Sequence, residues 1–219
     1  LRRLPPNVQG ALWLVSGGFI FTSTSVMIRL LSAQIESVQT AFFRAAFGLL
    51  LLLPYILTGR VKPWTSPRIA GHFWRTFMGT PSMVLGFYAV AMLPLADATA
   101  IAFSQPLFSV VVAALVAKEK VRWRRWSATI VGFIGVLVMV RPGEGRLQLG
   151  ALVALANAAC VAISIYLVKR LSDSEAPLMI LTQFALFSTL FLAPPALWVW
   201  RWPDLWGGAL AVGIAVSAT

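Results

Sequence analysis

The chain is a succession of long apolar stretches joined by short polar connections, and this pattern constrains its fold more than any other feature. Apolar residues make up 59% of the 219 residues and charged residues only 11%, whereas a soluble domain carries about 25% charged residues. Such a chain could not cover its surface in water. In lipid every backbone polar group must be bonded internally, which favours helices. The pattern therefore predicts an all-α integral membrane protein, a polytopic helix bundle.

Hydropathy predicts seven complete spans and the start of an eighth, because a helix needs about 20 apolar residues to cross the hydrocarbon core. The seven spans are residues 10–31, 37–57, 73–93, 97–117, 126–141, 149–169 and 177–200. The eighth begins near Leu205 and is still apolar at Thr219. Since the connections are short, we expect antiparallel neighbours in one bundle with no separate soluble domain.

Basic residues concentrate in alternate connections, and this distribution indicates how the chain is oriented. A cytoplasmic N-terminus places on the inner side Arg2, Arg3, Arg60, Lys62, Arg68, Arg75, Lys118, Lys120, Arg122, Arg124, Arg125, Lys169 and Arg170. The outer side then carries only Arg29, Arg141, Arg146 and Arg201. The positive-inside rule therefore predicts a cytoplasmic N-terminus. Because the basic residues lie between apolar spans, the net charge of +11 does not indicate a nucleic-acid partner.

The beginning of the chain is repeated 140 residues later. Residues 10–57 and 150–197 align without a gap and are identical at 11 of 48 positions. Five spans, an odd number, precede the second copy, so it enters the membrane from the opposite side. Inverted repeats of this kind are common in secondary transporters, which bind substrate near the midplane at the repeat interface. We therefore predict one five-helix repeat over residues 10–141 and part of a second over residues 149–219.

Four segments carry a likeness to a known family. They are Thr40-Ala-Phe-Phe-Arg-Ala-Ala-Phe-Gly48, the stretch 93–108 with its Gln105-Pro106 step, Lys118-Glu-Lys-Val121, and the apolar segment 131–140. With these segments the chain resembles the drug/metabolite transporter superfamily, EamA-type branch. The resemblance implies a ten-helix fold of two inverted five-helix repeats. This chain would then be a C-terminally truncated fragment with seven helices and part of an eighth.

Two functions stay open from the sequence. The resemblance implies a secondary active or facilitative transporter of small metabolites, such as amino acids, nucleotide-related compounds or drugs, working by alternating access in the bacterial inner membrane. The alternative is a membrane fragment or assembly subunit that transports nothing without a partner chain. The expected partners are the lipid bilayer and a small-molecule substrate, with a homodimer left open. No cofactor is expected.

Arg44 is the most distinctive candidate for a binding residue. A charge two turns inside a span is costly and usually faces the bundle interior, where it would anchor an anionic substrate group or make a structural pair. Arg29 and Arg75 lie near span ends and are expected to snorkel. The full set of predicted cavity residues is Trp13, Arg44, Tyr88, Ser104, Gln105, Asn157, Ser164 and Tyr166.

Small residues and prolines predict local helix geometry. Pro81 and Pro106 lie within spans, where each removes a backbone hydrogen bond and would form either a hinge or a static kink. The pairs Gly17-Gly18 and Gly132/Gly135 are expected to allow close helix packing.

The acidic residues all lie in connections or at span ends. Proton-coupled carriers commonly use embedded carboxylates or histidines, so this distribution favours facilitated transport or exchange. The sequence contains no phosphate-binding G-x-x-x-x-G-K-[ST] loop, no H-E-x-x-H zinc motif and no G-x-S-x-G elbow. We therefore predict no catalytic residue and no metal site, and the protein is not expected to be an enzyme.

Overall fold

Helices account for all the regular structure in the computed structural model, which describes residues 6–140 and 145–218. The α-helices are α1 Pro6–Leu31, α2 Ser37–Leu57, α3 Ile69–Met92, α4 Leu95–Ala102, α5 Gln105–Leu115, α6 Trp123–Val140, α7 Gly145–Ser172, α8 Pro177–Trp198 and α9 Leu205–Ala218. A 3-10 turn, Pro63–Thr65, lies between α2 and α3. For these residues the all-helical prediction is confirmed.

Five helical segments are long and apolar enough to cross a membrane. They are Val8–Leu31, Ser37–Leu57, Leu95–Leu115, Leu149–Ser172 and Pro177–Trp198. Helices α3 and α6 are not among them, and the apolar part of α9, Leu205–Ser217, is shorter. Seven spans and part of an eighth therefore stay a prediction. Several residues used in the sequence arguments lie outside the described part of the chain, namely Arg2, Arg3, Arg141, Glu144 and Thr219.

The fourth predicted span is interrupted near its middle. Helix α4 ends at Ala102 and α5 begins at Gln105, so Pro106 lies in the first turn of a new helix rather than inside a kinked one. Proline lacks the N–H that would bond four residues back, and it disfavours helical geometry in the residue before it. Pro81, by contrast, lies inside the uninterrupted α3.

Helices α3 and α7 form the most extensive helix pair and cross each other antiparallel. Each layer of this α3–α7 seam sets a glycine of one helix against a side chain of the other: Gly71 against Leu171, Gly79 against Ser164, Gly86 against Asn157, and Gly150 against Leu93. A Cβ atom built on these glycines would lie 2.7–3.2 Å from the facing side chain. The layers recur every seven or eight residues, about two helical turns, so glycine sets the helix separation along the whole seam.

The other helices pack around this pair. Helix α2 packs on α8, α1 and α2 pack on α9, and α6 packs on α5. Gly132 of α6 lies against Leu107, as its prediction required, but a Cβ on Gly17, Gly18 or Gly135 would meet nothing within 4 Å. The prediction of close packing is therefore wrong for those three glycines, because no neighbouring helix faces them closely.

Hydrogen bonds tie the connections together at each end of the bundle. At one end the Gln39 amide donates to the Arg201 carbonyl and accepts from the Arg201 N–H at 3.0 Å. At the other end the Gln183 amide donates to the Pro63 carbonyl, and the Ser66 hydroxyl donates to Glu175 at 2.6 Å. We call these the Gln39 tie and the Gln183 tie. Each joins the first half of the chain to the second.

A methyl group added at the α3–α7 seam should destabilise the fold. In Gly150→Ala the new Cβ would lie 2.7 Å from Cδ2 of Leu93, a fully buried side chain, and overpacking of this kind costs about 1–3 kcal/mol. Thermal unfolding of the purified protein in detergent micelles measures the effect.

Gly135→Ala is the matched control, since its Cβ meets nothing and alanine favours helix by up to about 1 kcal/mol. Equal melting temperatures for the two variants would contradict the role given to the seam.

Candidate functional site

A half-open cavity of about 670 Å³ lies between the helices. Most of its wall comes from α1, α3, α4 and α7, and single residues of α2, α8 and α9 complete it. Gly79 and Gly86 of the α3–α7 seam line it together with Gly17, so positions without side chains contribute to its volume. Ligand sites typically span about 300–1,000 Å³ with mostly apolar walls and a few polar groups. The cavity therefore has the size and character of a site for a small organic molecule.

Three of the predicted residues line this cavity: Arg44, Asn157 and Ser164. Asn157 and Ser164 face the seam glycines Gly86 and Gly79. Within the described residues neither the Asn157 amide nor the Ser164 hydroxyl has a hydrogen-bond partner. Arg44 contacts only the Met83 thioether, with 2.7 Å between Nη1 and Sδ, and such a sulfur is a weak acceptor. The cavity thus presents an amide, a hydroxyl and a guanidinium that are available to a ligand.

The other five predicted residues do not line the cavity. Trp13 is 71% exposed and Tyr88 is 40% exposed, and neither belongs to the cavity wall. Ser104 is fully buried in the break between α4 and α5, and its hydroxyl lacks a partner. Gln105 and Tyr166 are half-buried and lie outside the cavity wall. A role for these five in substrate binding stays a prediction.

Five hydroxyl residues of the cavity wall were absent from the predicted set: Thr24, Ser25, Ser82, Thr99 and Ser217. Several of these hydroxyls donate to a carbonyl of their own helix, as Ser25 does to Phe21 and Thr99 to Leu95. The Ser217 hydroxyl also accepts from Thr24 at 2.7 Å, while the lone pairs of Ser25, Ser82 and Thr99 accept from no protein group within the described residues. For α1 a signal existed, since its cavity residues recur at the spacing of one helix face.

Arg75 is a second cation in the interior, and the expectation that it snorkels is wrong. Its Cζ lies 4.0 Å from the centre of the Phe184 ring, a cation–π geometry. Its Nε and Nη1 atoms are buried without a hydrogen-bond partner. A second, smaller cavity of about 100 Å³ is lined by both Arg44 and Arg75. Arg44 and Phe184 line the large and the small cavity alike.

The two interior arginines have no carboxylate nearby. Within residues 6–140 and 145–218 the one contact between a basic group and a carboxylate joins His72 Nε2 to Glu175 Oε1 at 3.7 Å, near the start of α3. Arg29, also expected to snorkel, instead donates to the carbonyl of Leu93 at the end of α3. The bundle therefore holds two cations whose protein partners are a thioether and an aromatic ring.

Comparison with known proteins places the chain in a family. The sequence pattern of the EamA-like transporter family matches residues 8–141, which is more than half of the chain. The chain belongs to this family. It is a helical membrane protein of the transporter class.

Individual relatives are named for different cargoes. The S-adenosylmethionine uptake transporter of Rickettsia prowazekii is 27% identical over 99% of this chain and 74% of its own length. The riboflavin transporter of Vibrio cholerae is 28% identical over 90% of this chain and 67% of its own length. The pseudopaline exporter CntI of Pseudomonas aeruginosa is 29% identical over 94% of this chain and 74% of its own length. The family resemblance expected from the sequence is thus confirmed.

One solved structure, described only as "Crystal structure of protein", has the same fold. It superposes with a TM-score of 0.60 over 92% of this chain and 74% of that chain, at 16% identity. Similarity at this identity concerns the fold alone.

The position of the cavity can be tested with single cysteines in a Cys160→Ala background. Ser164→Cys should react with a charged, water-soluble thiol reagent, since Ser164 lines the cavity, whereas Leu190→Cys should not, since Leu190 is exposed in the middle of α8 and lines neither cavity. Because the reacting species is the thiolate, which needs water, we expect the labelling rates to differ by about tenfold or more.

Labelling is measured on intact protein in lipid vesicles. If Ser164→Cys were labelled no faster than the control position, the cavity would not be open to water.

Proposed function

We propose that this protein is a secondary active or facilitative carrier of small metabolites, which binds its substrate in the 670 Å³ cavity and exposes it alternately to the two sides of the membrane. Membership of the EamA-like transporter family supports the general activity. The relatives named for S-adenosylmethionine uptake, riboflavin transport and pseudopaline export support a small organic substrate. We place the protein in the bacterial inner membrane with a cytoplasmic N-terminus, as the basic residues indicate.

The observation that carries this proposal is the composition of the cavity wall. Many wall positions form pairs 140 residues apart, which is the spacing of the internal repeat. These pairs are Gly17 with Asn157, Phe21 with Val161, Thr24 with Ser164, Ser25 with Ile165, and Arg44 with Phe184. Equivalent positions of two repeats line one cavity when the repeats are related by a two-fold axis through it. This supports inverted repeats over residues 10–141 and 149–219, and carriers of this architecture bind substrate at such an interface.

The helix packing supports the same relation. In the repeat, α1 corresponds to α7, α2 to α8 and α3 to α9. Exchanging the two repeats therefore turns the α3–α7 pair into the α9–α1 pair, and the α3–α8 pair into the α9–α2 pair. The α2–α8 pair is exchanged with itself. All five of these pairs are in contact. Helices α2 and α8 would then lie at the axis, with Arg44 and Phe184 lining the cavity beside it.

The two end ties are suited to alternating access. The Gln39 tie and the Gln183 tie join the two halves of the chain at opposite ends of the bundle. In the Gln39 tie, an amide of α2 bonds the backbone of the connection that follows α8. In the Gln183 tie, an amide of α8 bonds the backbone of the connection that follows α2. Breaking one tie while keeping the other would open the cavity to one side only.

Transport tests the proposal directly. In proteoliposomes carrying the full-length protein and a pool of radiolabelled metabolites, at least one compound should accumulate above empty vesicles. Asn157→Phe should reduce that uptake by about tenfold or more, because it fills part of a cavity that takes up most of a ligand's surface.

Leu152→Phe is the matched control, with the same replacement on the exposed face of α7, and should stay within about twofold of wild type. Uptake indistinguishable from that of empty vesicles, with folding confirmed by melting temperature, would refute the carrier.

The end ties give a second test. A two-state carrier shifts its population by the free energy that favours one state, so Gln183→Leu and Gln39→Leu should change access to the cavity in opposite directions. Measured with the Ser164→Cys labelling assay from each side of oriented vesicles, the rates should move about fivefold or more, as expected for a lost hydrogen bond near 1 kcal/mol.

If both variants changed the labelling rate from the same side of the vesicles, the two ties would not be gates. Half-buried Gln34, whose amide oxygen accepts from the Asp204 N–H in the connection between α8 and α9, provides the comparison of a peripheral contact.

A further inference from the structure

The two interior arginines converge on one place. Arg44 comes from α2 and Arg75 from α3, yet both line the 100 Å³ cavity, whose other walls are small or apolar residues of α2 and α8. Gly48 stands one turn beyond Arg44 in this wall. A space of this size holds a single compact polar group rather than a whole metabolite.

No group of the described protein compensates these charges. Arg44 reaches only a thioether, and two nitrogens of Arg75 are buried without a partner. Charged side chains within membrane segments normally pair with one another or with backbone carbonyls, and here the two neighbours carry the same sign. Guanidinium groups are most strongly bound by carboxylate or phosphate oxygens, which match their planar fork.

The small cavity adjoins the large one, since Arg44 and Phe184 form part of both walls. A bound molecule could therefore place a charged group between the arginines and its body in the larger space. That space offers apolar and aromatic walls, with Asn157 and Ser164 of α7 as further polar groups.

We infer that the substrate of this carrier is an organic anion, whose carboxylate or phosphoryl group binds between Arg44 and Arg75 while its apolar body occupies the 670 Å³ cavity. This inference rests on the proposed carrier function. It goes beyond it by assigning the charge and the two-part shape of the substrate class, and by giving Arg75 a role in recognition.

A matched pair of probes tests the charge requirement. Binding of 2-naphthoate and of the neutral 2-naphthamide, which have nearly the same shape, is measured by titration calorimetry on the purified protein in maltoside micelles. Hydrogen bonds to charged groups predict that 2-naphthoate binds about tenfold more tightly or better. Equal binding of the two probes would overturn the inference, whatever the variants do.

Variants then assign the site. Arg75→Gln and Arg44→Gln should each weaken 2-naphthoate binding about tenfold and leave 2-naphthamide within about twofold, while Arg75→Lys, which keeps the charge, should recover part of the loss. Arg124→Gln removes an exposed arginine of α6 and should change neither affinity. If Arg44→Gln fails to fold, Arg75→Gln and the two probes on wild type still decide the matter. Unchanged 2-naphthoate affinity in folded Arg75→Gln would overturn the assignment.

A lipid headgroup offers the same phosphate chemistry, and the choice of membrane distinguishes it from a free substrate. Maltoside micelles carry no phosphate, whereas nanodiscs of phosphatidylglycerol present an anionic headgroup. Equal 2-naphthoate affinity in the two supports a soluble ligand. Loss of 2-naphthoate binding in the nanodiscs would mean that a lipid headgroup occupies the site between Arg44 and Arg75, and would overturn the inference.

Failure of this inference and failure of the carrier are separable. Uptake of neutral or cationic metabolites in proteoliposomes, together with equal binding of the two probes, would keep the carrier and reject the anion site. Charge-selective binding of 2-naphthoate with no uptake of any compound would keep the site and reject the carrier.

Discussion

The close approach of α3 and α7 is the constraint on which the rest of the structure depends. At each layer of the seam one helix contributes a glycine, so the backbones meet without side chains between them. In lipid there is little hydrophobic driving force between helices, and close packing of small residues becomes a principal source of association.

The cavity follows from the same arrangement. Gly79 and Gly86 belong both to the seam and to the cavity wall, and they face Ser164 and Asn157. Close contact at the seam therefore presents these polar groups where no bulky α3 side chain covers them. Arg44 of α2 and Phe184 of α8 line the same two cavities, and Arg75 of α3 lies over the Phe184 ring. Positive charge thus accumulates beside a mostly apolar space, and a ligand of opposite charge would relieve it.

The proposed inverted repeat would let one sequence build two gates of the same kind at opposite ends of the bundle. The Gln39 tie and the Gln183 tie lie at opposite ends and use the same kind of bond, an amide to a loop backbone. The repeats are not identical, since Arg44 corresponds to Phe184 in the second copy. The symmetry would provide alternating access, and the departure from symmetry would provide the recognition of charge.

Much of the fold was predictable from the sequence. The lengths of the apolar stretches and the positions of the basic connections are local properties of the chain, and the bilayer favours them directly. Helix α2 begins and ends where hydropathy places it, and the likeness of residues 40–48 and 93–108 to the EamA-type branch led to the correct family. The cavity positions of Arg44, Asn157 and Ser164 were also predictable from the sequence, because polar groups in a span face the bundle interior. The role of Arg75 was not, because a cation near a span end snorkels or turns inward depending on which side chain lies across from it, here Phe184. The glycines that pack closely were likewise decided by tertiary structure, since Gly79 and Gly18 look alike in sequence and differ only in having a helix in front of them.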